Sequence, residues 1–158
     1  MRHGSVFKMV VATAALENNT ITTKTTVNDT GIYPRGHNPA CWIYTSRHYG
    51  HGYLNVTEAI KKSCNYFFYE LGYKMGIDPV IKYAKSYGLG IKTGIELSGE
   101  SKGIVDLKDY CKETTGQEWQ FGDTLSAVIG QSYNSYTPIQ IARYTSMLAN
   151  GGKSVDVT

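Results

Sequence analysis

The sequence lacks any uninterrupted apolar run of the roughly 18 to 20 residues that a bilayer-spanning helix needs. Its longest apolar stretch, Val6 to Leu16, is broken by Lys8 and Thr13. No cleavable leader pattern is visible either, since Met1-Arg2-His3-Gly4 runs straight into that stretch. Charge of one sign is not in excess: 16 Lys and Arg face 13 Asp and Glu, a formal net charge of +3, and no basic run forms a patch. Nucleic acid is therefore not expected as a partner. Three cysteines are an odd number and exclude a complete disulfide framework. Phenylalanine is scarce at four, whereas thirteen tyrosines suggest aromatic surface meeting something polar, such as sugar or peptide. The remainder suits one folded domain: 158 residues, 41% hydrophobic and 18% charged.

The pattern along the chain predicts mostly helix and loop, with little strand. A helix from Ser5 to about Leu16 is apolar on nearly every side, so it belongs at the centre of a domain. Lys8 is then a buried lysine, which costs several kcal/mol unless it is paired or hydrogen-bonded, on the order given for buried charge. Residues 17–53 are rich in Thr, Gly and Pro and read as loop with short extended pieces. Asn55 and Glu58 form a capping-box pattern for a short helix ending near Lys62. Ser63-Cys64-Asn65 breaks the chain before a helix from Tyr66 to Met75 that Gly76 ends. Asp78 as N-cap with Pro79 behind it starts a helix that Gly88 stops. The Gly-rich stretch from Gly88 to Glu100 is turn-like, with a brief strand at Ile95 to Leu97. Further short helices are expected over Asp106 to Lys112 and over Thr124 to Ile129, the latter capped by Asp123. A last helix opens at Thr137-Pro138, turns Ile141, Ala142, Thr145, Leu148 and Ala149 inward, and stops at Asn150.

Ser5 and Lys8 stand three apart at the start of the buried helix, so hydroxyl and amine share one face. The helix N-terminus favours negative charge on the serine oxygen, and a desolvated lysine has a lowered pKa and can act as its base. In the Ser63-Cys64-Asn65 break, side chains two apart in an extended chain point the same way. Ser63 and Asn65 then face one cleft, while Cys64 faces away. Each pair alone reads better as helix caps, with a snorkelling lysine beside the first. Cys41, His51 and Cys64 are spaced ten and thirteen apart, with Asp29, His37 and His48 nearby. Cys41, His51 and Cys64, with Asp29, can form a tetrahedral zinc site that closes the loop from 17 to 53. The other reading is two buried free thiols and solvated histidines, with Cys111 an ordinary half-buried thiol.

Taken together, these segments resemble the penicillin-recognising serine enzymes, and in particular the transpeptidase domain of class B penicillin-binding proteins of the penicillin-binding protein 2 type. The resemblance is carried by Gly4-Ser5-Val6-Phe7-Lys8 with Ala14-Ala15-Leu16-Glu17, and by Gly50-His51-Gly52, Ala59-Ile60, Ser63-Cys64-Asn65 and Tyr69. It continues through Gly88-Leu89-Gly90, Thr93-Gly94-Ile95-Glu96-Leu97, Ile129-Gly130-Gln131, Thr137-Pro138-Ile139-Gln140 and Ala149-Asn150-Gly151-Gly152.

The resemblance implies that Ser5 is the acylated nucleophile and Lys8 its base. Ser63 would relay protons, Asn65 would bind the substrate or β-lactam side-chain amide, and the Ser5 N–H would supply half of an oxyanion hole. It further implies cross-linking of peptidoglycan stem peptides through an acyl-enzyme, acylation by β-lactam antibiotics, and cell-wall synthesis partners. No cofactor is needed for that chemistry, so zinc would be structural. The full-length protein would work on the outer face of the bacterial cytoplasmic membrane, with an anchor outside this chain. Two departures stand out. His3 occupies a position where the family has proline. The family's third motif, Lys-Thr/Ser-Gly, should follow Asn150-Gly151-Gly152, so Lys92-Thr93-Gly94 is read as a coincidental match.

The expected fold is therefore a mainly α fragment of the α+β transpeptidase (β-lactamase-like) fold, with most of the central antiparallel sheet absent. Residues 1–158 would form a single incomplete domain, inactive or weak alone, in which two copies can exchange elements to cover an exposed core. The alternatives are a non-catalytic helical module clamped by zinc, with Ser5 and Ser63 only as caps, or a serine β-lactamase relative. For the latter no glutamate stands in a context that would activate water.

Overall fold

The structure is a computed structural model and describes residues 4–158. His3, with its departure from the family pattern, lies outside the described residues. A single 3-10 turn, Gly4–Phe7, runs into helix α1, Lys8–Glu17. Lys8, Val10, Val11, Ala12, Ala14 and Ala15 of α1 are all buried. A helix with no polar stripe can only sit inside, and α1 packs against α3 (Val56–Lys61), α4 (Asn65–Met75) and α5 (Asp78–Ser86). Each large apolar side chain buried there contributes about 1.5–3 kcal/mol. α4 turns Phe67, Phe68 and Leu71 into the same core and leans on α7, Phe121–Ala127.

Strand β1, Val27–Asp29, pairs antiparallel with β2, Gly52–Leu54, in the register Val27 with Leu54 and Asp29 with Gly52. The pairing closes the long loop and brings Asp29 beside His51. Between the strands lies α2, Trp42–Arg47, a helix in a stretch that the sequence marks only as loop. Its six residues are too few to show a period, and its N-cap, Cys41, is not a capping type. Helix α6, Leu107–Thr115, and helix α8, Pro138–Ala149, complete the fold. Among the described residues the sheet has two strands, and no helix is long and apolar enough to cross a membrane.

Several local expectations are corrected. No strand forms at Ile95–Leu97; instead Glu100 accepts the N–H and hydroxyl of Thr93 and the N–H of Gly94, folding the segment into a turn. The Ser63 to Asn65 break is not extended throughout, because Ser63 is left-handed (φ 51°) and Asn65 is already the first residue of α4. Ile77, not Asp78, is the N-cap of α5. α7 begins earlier, at Phe121, with Asp123 reaching back to the Gln120 N–H.

The inner face of α8 is Gln140, Tyr144 and Met147, whereas Ala142, Thr145 and Ala149 are exposed. Polar tethers outweigh the apolar period there. The Gln140 amide donates to the Ile91 and Lys102 carbonyls, and the Tyr144 hydroxyl donates to the Val6 carbonyl. The tyrosines serve the expected surface role only in part: Tyr49, Tyr53 and Tyr73 are exposed. Tyr33, Tyr66, Tyr69, Tyr136 and Tyr144 are buried, and of these only Tyr69 lines the cleft described below. Cys111 is buried rather than half-buried.

Candidate active site

Ser5 sits in the 3-10 turn that opens α1, and Lys8 is the first residue of α1 proper. This turn is fixed from three sides. The Gly4 N–H donates to the Gly130 carbonyl at 3.2 Å, Tyr144 holds the Val6 carbonyl at 3.0 Å, and Phe7 stacks on Tyr136. Gly130 (φ 78°) lies so close that a Cβ on it would stand 1.9 Å from the Gly4 carbonyl oxygen. Only glycine fits at that contact.

Lys8 is 2% exposed, and its partners come from the turn between α3 and α4. Its Nζ donates to the Ser63 carbonyl at 2.8 Å, the Ser63 hydroxyl at 2.9 Å and Asn65 Oδ1 at 2.6 Å. The left-handed Ser63 backbone, a conformation costing on the order of 1–3 kcal/mol for a non-glycine residue, presents carbonyl and hydroxyl to the same amine. The Ser63 hydroxyl stands 2.8 Å from Ser5 Oγ, whereas Lys8 Nζ is 3.4 Å from it. Burial pushes the Lys8 amine down to about 8, against the opposing influence of Cys41 and Cys64. Ser5, Lys8, Ser63 and Asn65 are thus brought together, as the family resemblance and not their spacing implies. Lys92-Thr93-Gly94 is not near them: it belongs to the turn that Glu100 organises and lines neither cavity of the cleft.

Ser5, Ser63 and Asn65 open into a cavity of about 380 Å³ that Gly4, Trp42, Ile129 and Gln131 complete. It continues into a second of about 450 Å³ between α2 and the 129–131 loop, along Ala40, Thr45, Ser46 and Tyr69. No Asp or Glu lines either cavity. Trp42 was not singled out by sequence, although a tryptophan beside Cys41 was a signal; Gln131 entered only as part of the Ile129-Gly130-Gln131 segment, with no role assigned.

Behind this cleft, Asp29, Cys41, His51 and Cys64 place their ligand atoms within 4.8 Å of one another. Asp29 accepts the Gly31 N–H at 2.7 Å on one oxygen and faces His51 Nδ1 at 2.7 Å and the Cys64 thiol at 3.2 Å with the other. Cys41 Sγ lies 3.6 Å from His51 Nδ1 and 3.9 Å from Cys64 Sγ. Burial opposes the charge on Asp29, yet the bonds from His51 and Gly31 hold its carboxyl below the usual range. The Cys64 thiol beside it pulls Cys41 down to about 6 against burial, and Cys64 itself is pushed up, first by Cys41 and then by burial. Tetrahedral zinc separates its S and N ligands by about 3.3–3.8 Å, close to the spacing of Cys41 from His51 and from Cys64, whereas Asp29 and His51, hydrogen-bonded at 2.7 Å, would have to part slightly to hold an ion. His37 and His48 are exposed and stand outside this cluster.

The fold around a Ser-x-x-Lys turn and a Ser-x-Asn turn defines a class, and comparison with known proteins gives the same one. Residues 1–158 match the penicillin binding protein transpeptidase domain, and the chain belongs to that family. Among curated relatives, the peptidoglycan D,D-transpeptidase MrdA of Haemophilus influenzae is 35% identical over 94% of this chain, and the match covers 23% of the relative. The chain thus spans about a quarter of the length of that relative. Of solved structures, Pseudomonas aeruginosa PBP2 in complex with WCK 5153 is 34% identical with a TM-score of 0.89, covering 98% of this chain and 35% of that one. Helicobacter pylori PBP2 in complex with MreC is 36% identical with a TM-score of 0.87, covering 95% and 28%. The mainly helical character of the chain is that of the corresponding part of these transpeptidase structures.

Proposed function

We propose that this chain is the helical part of a peptidoglycan D,D-transpeptidase that works through an acyl-serine intermediate on Ser5. The observation that carries the reading is the continuous contact from Ser5 through Ser63 to Lys8. An ammonium at Lys8 uses three N–H donors on the Ser63 carbonyl, the Ser63 hydroxyl and Asn65. A neutral amine keeps two of these bonds, to the carbonyl and to Asn65, and turns its lone pair to the Ser63 O–H. Ser63 Oγ is then free to accept the Ser5 proton at 2.8 Å. Both forms satisfy every partner, so the proton can pass from Ser5 by way of Ser63 as Ser5 Oγ attacks a carbonyl carbon. The same path returns it to the departing amine nitrogen.

With Asn65 Oδ1 held by Lys8, its NH₂ is left for a ligand carbonyl. The substrates are peptidoglycan stem peptides; β-lactams acylate the same oxygen. The full-length protein acts at the outer face of the cytoplasmic membrane with cell-wall synthesis partners; the Helicobacter pylori relative seen in complex with MreC supports a protein partner.

Asp29, Cys41, His51 and Cys64 hold a structural zinc ion that ties β1, the start of α2, the loop before β2 and the start of α4 together. It takes no part in acyl transfer. Metal analysis of protein purified without a polyhistidine tag is expected to find close to one equivalent; less than a tenth of an equivalent contradicts the site. Fluorescent-penicillin labelling of the full-length protein tests the acylation. Ser5→Ala is expected to abolish the label, and label that survives overturns the assignment.

A further inference from the structure

Trp42 is a cleft wall that acyl transfer as described leaves unused. It opens α2 immediately after Cys41. Its indole N–H donates to the Lys62 carbonyl at 3.1 Å, and its ring stands edge-on to His51 with centroids 5.4 Å apart. One contact thus ties the ring to the Asp29–Cys41–His51–Cys64 cluster, and the other ties it to the residue preceding Ser63. Although anchored at both ends, Trp42 remains 45% exposed, and it lines both cavities, beside Ser5 in one and beside Thr45 and Ser46 in the other. An aromatic side chain already fixed in place loses little conformational freedom when a ligand covers it.

We infer that Trp42 is the surface on which the side-chain group of the acyl donor rests, the group that leads away from the amide held by Asn65. This rests on Ser5 being the acylated residue. Among the described residues, the channel past Trp42 is lined by Thr45 and Ser46 hydroxyls, the Gln131 amide, Tyr69 and Ile129, with no charged side chain. It therefore fits an uncharged acylamino chain that places apolar surface on the indole and amide groups against the hydroxyls.

Two penicillins that share a nucleus test this: benzylpenicillin, with a phenylacetyl side chain, and 6-aminopenicillanic acid, with none. In the full-length protein Trp42→Ala is expected to slow acylation by benzylpenicillin about tenfold, and Trp42→Phe to restore most of it. 6-Aminopenicillanic acid should stay within twofold of wild type. A loss equal for both compounds, or no loss, overturns the proposal. Calorimetric titration in a Ser5→Ala background reads binding without acylation, so it separates the two claims. There Trp42→Ala should weaken benzylpenicillin alone, by about tenfold; equal effects, or no benzylpenicillin binding, overturn the role of Trp42 whatever becomes of Ser5. If Ser5 is not acylated but the selective loss of affinity remains, the nucleophile assignment fails and Trp42 stands.

Discussion

Lys8 sits where an ammonium ion is poorly solvated but fully hydrogen-bonded, and the tension between those two conditions governs its chemistry. Burial lowers its pKa from 10.5 to about 8. In the proposed mechanism the neutral amine is the base, so the acylation rate of the full-length protein should rise with pH through about 8 and then level. A stopped-flow pH profile that is flat from 7 to 9 contradicts this. The sign for stability follows from the same shift. Between pH 8 and 10.5 the unfolded chain holds the Lys8 proton more tightly than the folded one, so this group adds stability as pH rises through that window. Below it, the cost of the buried charge is fully present. Ser63 lies on the shorter proton path, and Ser63→Ala should reduce acylation about 10²–10⁴-fold, the usual worth of a positioned acid-base group. A loss under threefold in the same kinetics would mean that the direct 3.4 Å contact from Lys8 suffices.

Two element contacts set the proposed nucleophile. The first is Gly130 against Gly4. Gly130→Ala forces a methyl group into the Gly4 carbonyl from a left-handed backbone. It should lower the melting temperature and slow acylation at least tenfold; unchanged kinetics would remove the loop after α7 from the site. The second is the clamp that gathers β1, the start of α2, the approach to β2 and the start of α4. Ligand at 100 times its Kd stabilises by about 2.7 kcal/mol, which for a chain of this size is a shift of about 5–10 °C. Removing zinc with a chelator should lower the melting temperature by that amount. In a Trp119→Phe variant, where Trp42 is the only tryptophan of this chain, chelation should also change its emission. Neither change appearing counts against the metal.

Such elements were unevenly legible. The capping boxes at Asn55 and Thr137 and the glycine stop at Gly76 could be read because side chain and backbone interact within a few residues. α2 and the inner face of α8 could not. Both depend on partners far along the chain: Cys41 on Asp29 and Cys64, and Tyr144 on Val6.

At the scale of the whole molecule, the four proposed catalytic residues come from two turns 55 or more residues apart, joined because α1 is buried between α4 and α5. The separate motifs were legible as residue types. Their convergence needed either the family pattern or the fold, since no local rule connects Lys8 to Ser63. The strand carrying Lys-Thr/Ser-Gly in the family would supply the second oxyanion donor, whose loss costs about 10²–10³ in rate. A chain extended through that strand should therefore be acylated at least a hundredfold faster than residues 1–158 alone; equal rates contradict the proposal. The most direct test of the central claim is tryptic mapping of the full-length protein after benzylpenicillin. The account predicts the added penicilloyl mass on the peptide of residues 3–8, which contains Ser5, and its loss in Ser5→Ala. Acylation found instead on the peptide of residues 63–74, which begins at Ser63, or at any other position, would contradict it.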